Sequence, residues 1–394
     1  MNTASGASVF DAVDRVLVGG APYLLSHFDY LNTSDRPEAE RVRGLIDEWL
    51  ARYAASDRDR LRDRLRSIDD IGHLGAFFEL ALHELLIRAG FRIVAVEPAV
   101  ERSRRVPDFL VETSDGGRFF LEATLATGRS QAGAAAQRRL DQAFKTIDSV
   151  PSPDFFLSLA TSGTPTAMIT GRTLKRELRQ WLAGLDYDAV TTAWSGNGDA
   201  VPVFRYEEHG VRFRISPVPR RRSRGAQTPG RAIGGRMLDP LTVQPQEPIR
   251  DAVAGKATRY GDLDLPYVVA VNAMSDYADK ESVIDALFGS PAVAVRRTET
   301  GYEDRATRLP DGVWRGQSRP INTRVSGVIS TERLTPWSVG QRRARLIVNP
   351  WARRPLTDDR TFGIDRIWVD DNRLRREEGE DLATRFGLPT GWPE

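Results

Sequence analysis

Val106-Pro107-Asp108-Phe109-Leu110-Val111-Glu112, then Ser114-Asp115-Gly116-Gly117, then Arg118-Phe119-Phe120-Leu121-Glu122-Ala123-Thr124, is the stretch that decides the fold. Two runs of apolar, aromatic and β-branched residues flank an Asp-Gly-Gly. A tight turn needs the positive φ that glycine adopts at little steric cost, so the stretch reads as a β-hairpin. Asp108 and Glu122 stand almost equally far from the turn and can meet across the ladder. Each interrupts a run that otherwise reads as buried, where a carboxylate is costly unless a cation or a donor meets it. The simplest cation for two converging carboxylates is a divalent metal with oxygen ligands.

The residues before the hairpin add a third acid. From Leu74 to Ala89 apolar residues recur at helical spacing, and Gly90 is a natural C-cap. Glu79 sits between Phe78 and Leu80 on this helix, a poor place for a merely solvated acid. Phe91 to Val96 reads as a strand, Ala132 to Val150 as a helix and Asp154 to Ala160 as a further strand. The order is therefore helix, strand, strand, strand, helix, strand.

This order, with an acid on the first helix, Pro-Asp on the second strand and Glu-x-Thr on the third, resembles the core of the PD-(D/E)XK (restriction-endonuclease-like) nuclease superfamily. The resemblance covers residues 65 to 165, under a third of the chain. It implies that Glu79, Asp108 and Glu122 are the catalytic acids and ligands of Mg²⁺ or Mn²⁺, with the Ala123 carbonyl as an extra ligand. Pro107 matches the family's proline. The chain departs from the pattern at Thr124, where the family has its catalytic lysine; a threonine supplies no positive charge. Some members draw the lysine from the following helix, which makes Lys145 the candidate replacement. The chain holds only four lysines, at 145, 175, 256 and 280, against 52 arginines. A retained lysine supplies a compact, titratable ammonium that a guanidinium does not.

Composition sets the bounds. The 394 residues are 40% hydrophobic and 28% charged, as in a soluble globular protein. No apolar run approaches a membrane span and the N-terminus lacks a signal-peptide pattern, so a cytoplasmic location and no membrane partner are expected. The absence of cysteine excludes disulfides, thiolate zinc sites and thiol nucleophiles. Four histidines are too scattered for a zinc motif. His83 shares a helix face with Glu79 and reads first as a hydrogen-bonded structural residue; Glu84 is too far round the helix to face the same site. A net charge of +2 makes nucleic-acid binding a question of where the charge sits.

The expected fold class is α/β: a mixed central β-sheet flanked by helices, with an αβββαβ core. Residues 1–66 read as a helical N-terminal segment, 67–165 as the nuclease-like core, and 166–394 as an α+β region that either extends the same sheet or stands apart. Arg58 to Arg66 alternates Arg, Asp and Leu and reads as a solvated helix. Val203 to Pro217 alternates like a hairpin. Residues 218–248 form the one long Arg/Gly/Pro-rich stretch, a candidate flexible loop. Its Arg220, Arg221, Arg222 and Arg224 can track a phosphate backbone, together with Arg212, Arg214, Arg231 and Arg236. Lys256 and Tyr260 loosely resemble the Gln-x-x-x-Tyr element of some members of the superfamily and join this nucleic-acid set. Leu265 to Asn272 is almost wholly apolar and reads as a central, doubly covered strand.

The function expected from the resemblance is Mg²⁺-dependent hydrolysis of phosphodiesters in DNA. Restriction, repair and phage defence are the settings in which such proteins act. A second copy of the chain or a partner protein of a defence system is a further partner. The alternative is a nuclease-like fold that binds nucleic acid or a protein without turnover, which the missing lysine favours.

Overall fold

The computed structural model describes residues 8–21, 25–100, 103–127, 131–195, 200–220, 232–238, 244–298, 301–357, 362–371 and 373–394. The chain divides into two compact units. One holds the described residues within Met1–Gly19, Ser26–Gly128 and Gln244–Glu394, the other those within Gly20–Leu25 and Arg129–Val243.

The first unit opens with helices α1 (His27–Thr33), α2 (Pro37–Arg52), α3 (Arg58–Leu65) and α4 (Asp70–Arg88), then strands β1 (Arg92–Val96), β2 (Phe109–Glu112) and β3 (Arg118–Ala126). The second unit follows: α5 (Gln131–Asp148), β4 (Phe155–Gly163), α6 (Gly171–Ala183), α7 (Tyr187–Ser195), β5 (Phe204–Glu208), β6 (Val211–Pro219) and β7 (Ile233–Leu238). The chain then returns to the first unit with α8 (Gln246–Ala257), β8 (Tyr267–Ala273), α9 (Lys280–Phe288), β9 (Pro291–Thr298), β10 (Gly301–Arg308), β11 (Gly327–Glu332), β12 (Arg345–Val348), β13 (Asp365–Asp370), β14 (Arg373–Glu377) and α10 (Leu382–Phe386).

The first unit is built on a mixed eight-stranded sheet in the order β1-β2-β3-β8-β11-β12-β13-β14, as expected of an α/β fold with a mixed central sheet between helices. The hairpin forms as its sequence dictates. Phe109 pairs with Leu121 and Glu112 with Arg118, and Gly116 takes a φ of 87° in the turn. Extending that register by one step sets Asp108 opposite Glu122. The seven residues of β8 are all buried, and alternate ones serve opposite faces. Val268 and Ala270 pack with α1, α2 and α4; Tyr267, Val269 and Val271 pack with α8 and α9. Two apolar cores thus enclose the sheet.

The structure corrects which elements complete the core. The helix over 132–150 and the strand over 154–160 do form, as α5 and β4, but β4 pairs with β6 and β7 in a separate four-stranded sheet. The strand beside β3 is β8, parallel to it with Glu122 opposite Val269, and the helix packed on both is α8. The physical reason lies in burial. β4 alternates buried and open residues, which suits a sheet covered on one face, whereas β8 is apolar throughout and needs cover on both. The 67–165 core and the separate 1–66 segment are corrected with it. Val9, Phe28, Val42, Ile46, Trp49 and Leu61 belong to the same apolar cluster as Phe109, Leu121 and Val268. Among the described residues no helix is long and apolar enough to cross a membrane.

Candidate active site

The three acids reach one place from three elements. α4 carries Glu79, the residue before β2 is Asp108, and β3 carries Glu122. All three line a cleft of about 640 Å³ in the first unit, with Ala123, Thr124, Arg64, Lys256, Arg259, Arg104, Arg105 and Glu97. β2 ends at Phe109 on this side, so the backbone of β3 beyond Leu121 is left without a ladder partner there. Asp108 takes up that vacancy: its Oδ2 accepts the Ala123 N–H at 2.6 Å. In a strand the N–H and C=O of one residue leave the same edge, so the Ala123 carbonyl also faces Asp108.

Glu122 is 3% exposed, and both of its oxygens are engaged. Lys256 Nζ lies 2.5 Å from Oε1, and Arg259 Nη1 lies 3.7 Å from the same atom. The Tyr260 hydroxyl sits between Glu122 Oε2 and the Val106 carbonyl, the latter at 3.0 Å. Burial and this acid neighbour raise the Tyr260 phenol far above its ordinary range, so it stays protonated. Glu79 is held as firmly, with Tyr53 OH at 2.8 Å from Oε1 and Arg64 Nη1 at 2.5 Å from Oε2. Glu79 therefore enters the site as a fixed negative charge behind Asp108.

Asp108 differs from the other two. Among the described residues no cation bonds to it. Burial, then the charges of Glu122 and Glu79, push its carboxyl up to about 7, against the Ala123 N–H and Lys256. The cleft thus holds one carboxyl poised near neutrality between two ion-paired ones.

The donor set of Asp108, Glu122 and the Ala123 carbonyl is hard oxygen, which suits Mg²⁺ or Mn²⁺. Added positive charge would relieve the crowding that Asp108 feels. Among the described residues no three His, Cys, Asp or Glu side chains group as a ready cage. An ion here would complete its shell with water and substrate oxygens, as Mg²⁺ commonly does.

The remaining expectations divide. Lys145 does not fill the place of the missing lysine: it is exposed on α5 of the second unit, and the ammonium on Glu122 comes from Lys256. Lys256 and Tyr260, assigned from sequence to nucleic acid, are instead the direct partners of Glu122. Arg220 stacks over the Phe156 ring, 3.9 Å from its centroid, with Nε donating to the Phe155 carbonyl. Arg221, Arg222 and Arg224 lie outside the described residues. His83 packs under the Tyr53 ring, and burial lowers its pKa to about 4, so it is a neutral core residue. Glu84 pairs with Arg52 and Arg88, away from the cleft.

Sequence reasoning missed Tyr53, Arg64, Arg104, Arg105 and Arg259. For Arg64 a signal existed: Leu61 and Leu65 mark the buried stripe of α3, and Arg64 borders it. No family model matches the chain, and no curated protein and no solved structure matches it.

Proposed function

We propose that the chain is a metal-dependent nuclease that hydrolyses phosphodiester bonds in DNA. The observation that carries this reading is the meeting of Asp108, Glu122 and Lys256 in one cleft with Asp108 held near neutrality. Asp108, Glu122 and the Ala123 carbonyl would hold Mg²⁺ or Mn²⁺. When bound, such an ion lowers the pKa of a water and offsets charge on the scissile phosphate. Asp108 must give up its proton to serve as a ligand, so metal uptake releases a proton near neutral pH. Lys256 supplies the ammonium that Thr124 cannot, on the carboxylate where the superfamily's lysine would act. Arg64, Arg104, Arg105 and Arg259 give the cleft the positive charge that a phosphate backbone needs.

The test is plasmid nicking with Mg²⁺ or Mn²⁺. Wild type is expected to cleave only with metal, and Asp108→Asn to lose about 10²- to 10³-fold in rate, as when one electrostatic group is removed from a reacting centre. A specific observation favours a second reading, binding without turnover: Lys256 and Tyr260 close both oxygens of Glu122. Tight binding of DNA with no metal-dependent product would favour that alternative.

A further inference from the structure

The second unit carries a sheet face that its own helices leave open. α5 and α6 pack on one side of the β5-β6-β4-β7 sheet, against Leu157, Leu159, Phe213 and Ile215. The alternate residues point the other way. Across β4, β6 and β5 the register sets Ser158 beside Ser216, and Ala160 beside Arg214 and Arg205. It sets Ser162 beside Arg212 and Glu207. The floor is therefore small and flat, and arginines stand along one side of it. At one end Phe156, capped by the Arg220 guanidinium, keeps 37% of its surface exposed.

One pairing conflicts with folding. Arg205 and Arg214 are directly opposed and both exposed, and like charges so placed destabilise a sheet. Among the described residues neither pairs with an acid; the nearest acid on this face, Glu207, lies 3.9 Å from Arg212. A solvated face would alternate signs. This one concentrates guanidinium groups about 6.8 Å apart along β6, two residues at the rise of a strand, a spacing that successive phosphates of an extended strand can match.

We propose that this face binds a single strand of nucleic acid, with Arg205, Arg212 and Arg214 on its phosphates and Phe156 as a platform for a base. Small residues under the arginines allow a backbone to lie flat, and an aromatic beside a basic track is how single strands are gripped without sequence readout. The choice of nucleic acid over other polyanions rests on the nuclease reading of the first unit. The residues are separate from that cleft, so the two can fail independently.

The experiment uses the full chain in EDTA, where no metal-dependent cleavage intervenes. Fluorescence anisotropy follows binding of labelled single-stranded and duplex oligonucleotides across a salt series. For Arg205→Glu with Arg214→Glu, single-strand affinity is expected to fall about 10- to 100-fold, and the log–log salt slope by about 2, near 0.7–0.9 per lost phosphate contact. Arg176→Glu with Arg179→Glu, on the exposed side of α6, is expected to leave both unchanged. Arg205→Glu alone sets an acid against Arg214, so it is expected to raise Tm while weakening binding, which separates ligand contact from a folding defect. Unchanged single-strand binding in the double variant, a preference for duplex, or a lower Tm in Arg205→Glu would overturn the proposal. Cleavage in Mg²⁺ with unaltered binding by the double variant would sink this inference and spare the nuclease reading. Arginine-dependent binding without cleavage would do the reverse.

Discussion

Lys256 Nζ stands 2.5 Å from Glu122 Oε1, although 134 positions separate the two residues along the chain. Glu122 is buried and Lys256 nearly so, and a buried pair is a poor stabiliser but a costly thing to break from one side. Lys256→Met strands a buried carboxylate and is expected to cost about 3–5 kcal/mol. Adding Glu122→Gln should recover a large part of that, a positive coupling readable in a double-mutant cycle by urea unfolding. Activity should behave differently. Both single variants and the double should be inactive in a nicking assay, whereas Lys145→Ala should cleave within about twofold of wild type. Additive stabilities, or a dead Lys145→Ala, would detach the pair from the role given to it.

Asp108 supplies a pH dependence whose sign is unusual for an aspartate. Its ordinary value is 3.8 and in the folded chain it rises to about 7. Between those values the folded state holds a proton that the unfolded state has lost, so this group's contribution makes stability fall as pH rises from about 4 to 7. Asp108→Asn removes the penalty. It should raise Tm at pH 8, leave it nearly unchanged at pH 4, and flatten the curve between. Mn²⁺ should raise the Tm of wild type and not of the variant, by linkage to binding. Differential scanning fluorimetry across pH, with and without Mn²⁺, reads both; equal Tm values for the two proteins at pH 8 would contradict the crowded carboxyl.

Glu79 tunes that value through charge alone, since Tyr53 and Arg64 hold its oxygens. Glu79→Gln keeps an oxygen for the Tyr53 hydroxyl and removes a negative neighbour of Asp108. The midpoint of pH-dependent Mn²⁺ binding should therefore move down, because ionised Asp108 is no longer repelled from that side. Isothermal titration with Mn²⁺ at several pH values measures the midpoint. An upward or absent shift would mean that Glu79 does not act on Asp108 electrostatically.

Much of this site was legible in the residues, and what escaped did so for one reason. The hairpin, α4 and β8 each carry their signal locally: Asp-Gly-Gly between apolar runs, helical spacing ending at Gly90, and seven buried residues in a row. The three acids were visible as charges misplaced in apolar runs. The neighbour of β3 was not, because a parallel pair needs a crossover of at least a dozen residues and sets no upper limit. The whole second unit fits into that crossover, so the nearest later strand, β4, was taken for the partner. Lys145 was then taken for the site's lysine because it stands on the helix before β4. The alternation of β4 against the uniform burial of β8 held the distinction, but it was read for face rather than for partner. Arg64 escaped because a helix of Arg-Asp repeats reads as solvated unless a buried acid beside it is already known.

Asn272 is the one polar residue in the apolar run of β8, and it is fully buried. Its side chain closes a small network: Nδ2 donates to the Leu334 carbonyl at 2.8 Å, and Oδ1 accepts the Leu334 N–H at 3.0 Å and the Thr331 hydroxyl at 3.1 Å. The amide thereby does for the chain leaving β11 what a strand's ladder would do, and it fixes that exit against β8. Hydrophobicity alone makes Asn272→Leu favourable in such a strand. Satisfaction of buried backbone groups makes it unfavourable, since both polar groups of Leu334 would lose their partner at about 1–3 kcal/mol each. The second effect exceeds the gain from one added apolar side chain of similar volume, about 1.5–3 kcal/mol at most, once overpacking is counted. Asn272→Leu is therefore expected to lower stability by about 2–4 kcal/mol. Asn272→Asp, which keeps the acceptor and loses the donor while adding a buried charge, should be worse. Urea midpoints rank the three proteins, and a leucine variant as stable as wild type would show that the 331–334 segment is anchored by packing rather than by this amide.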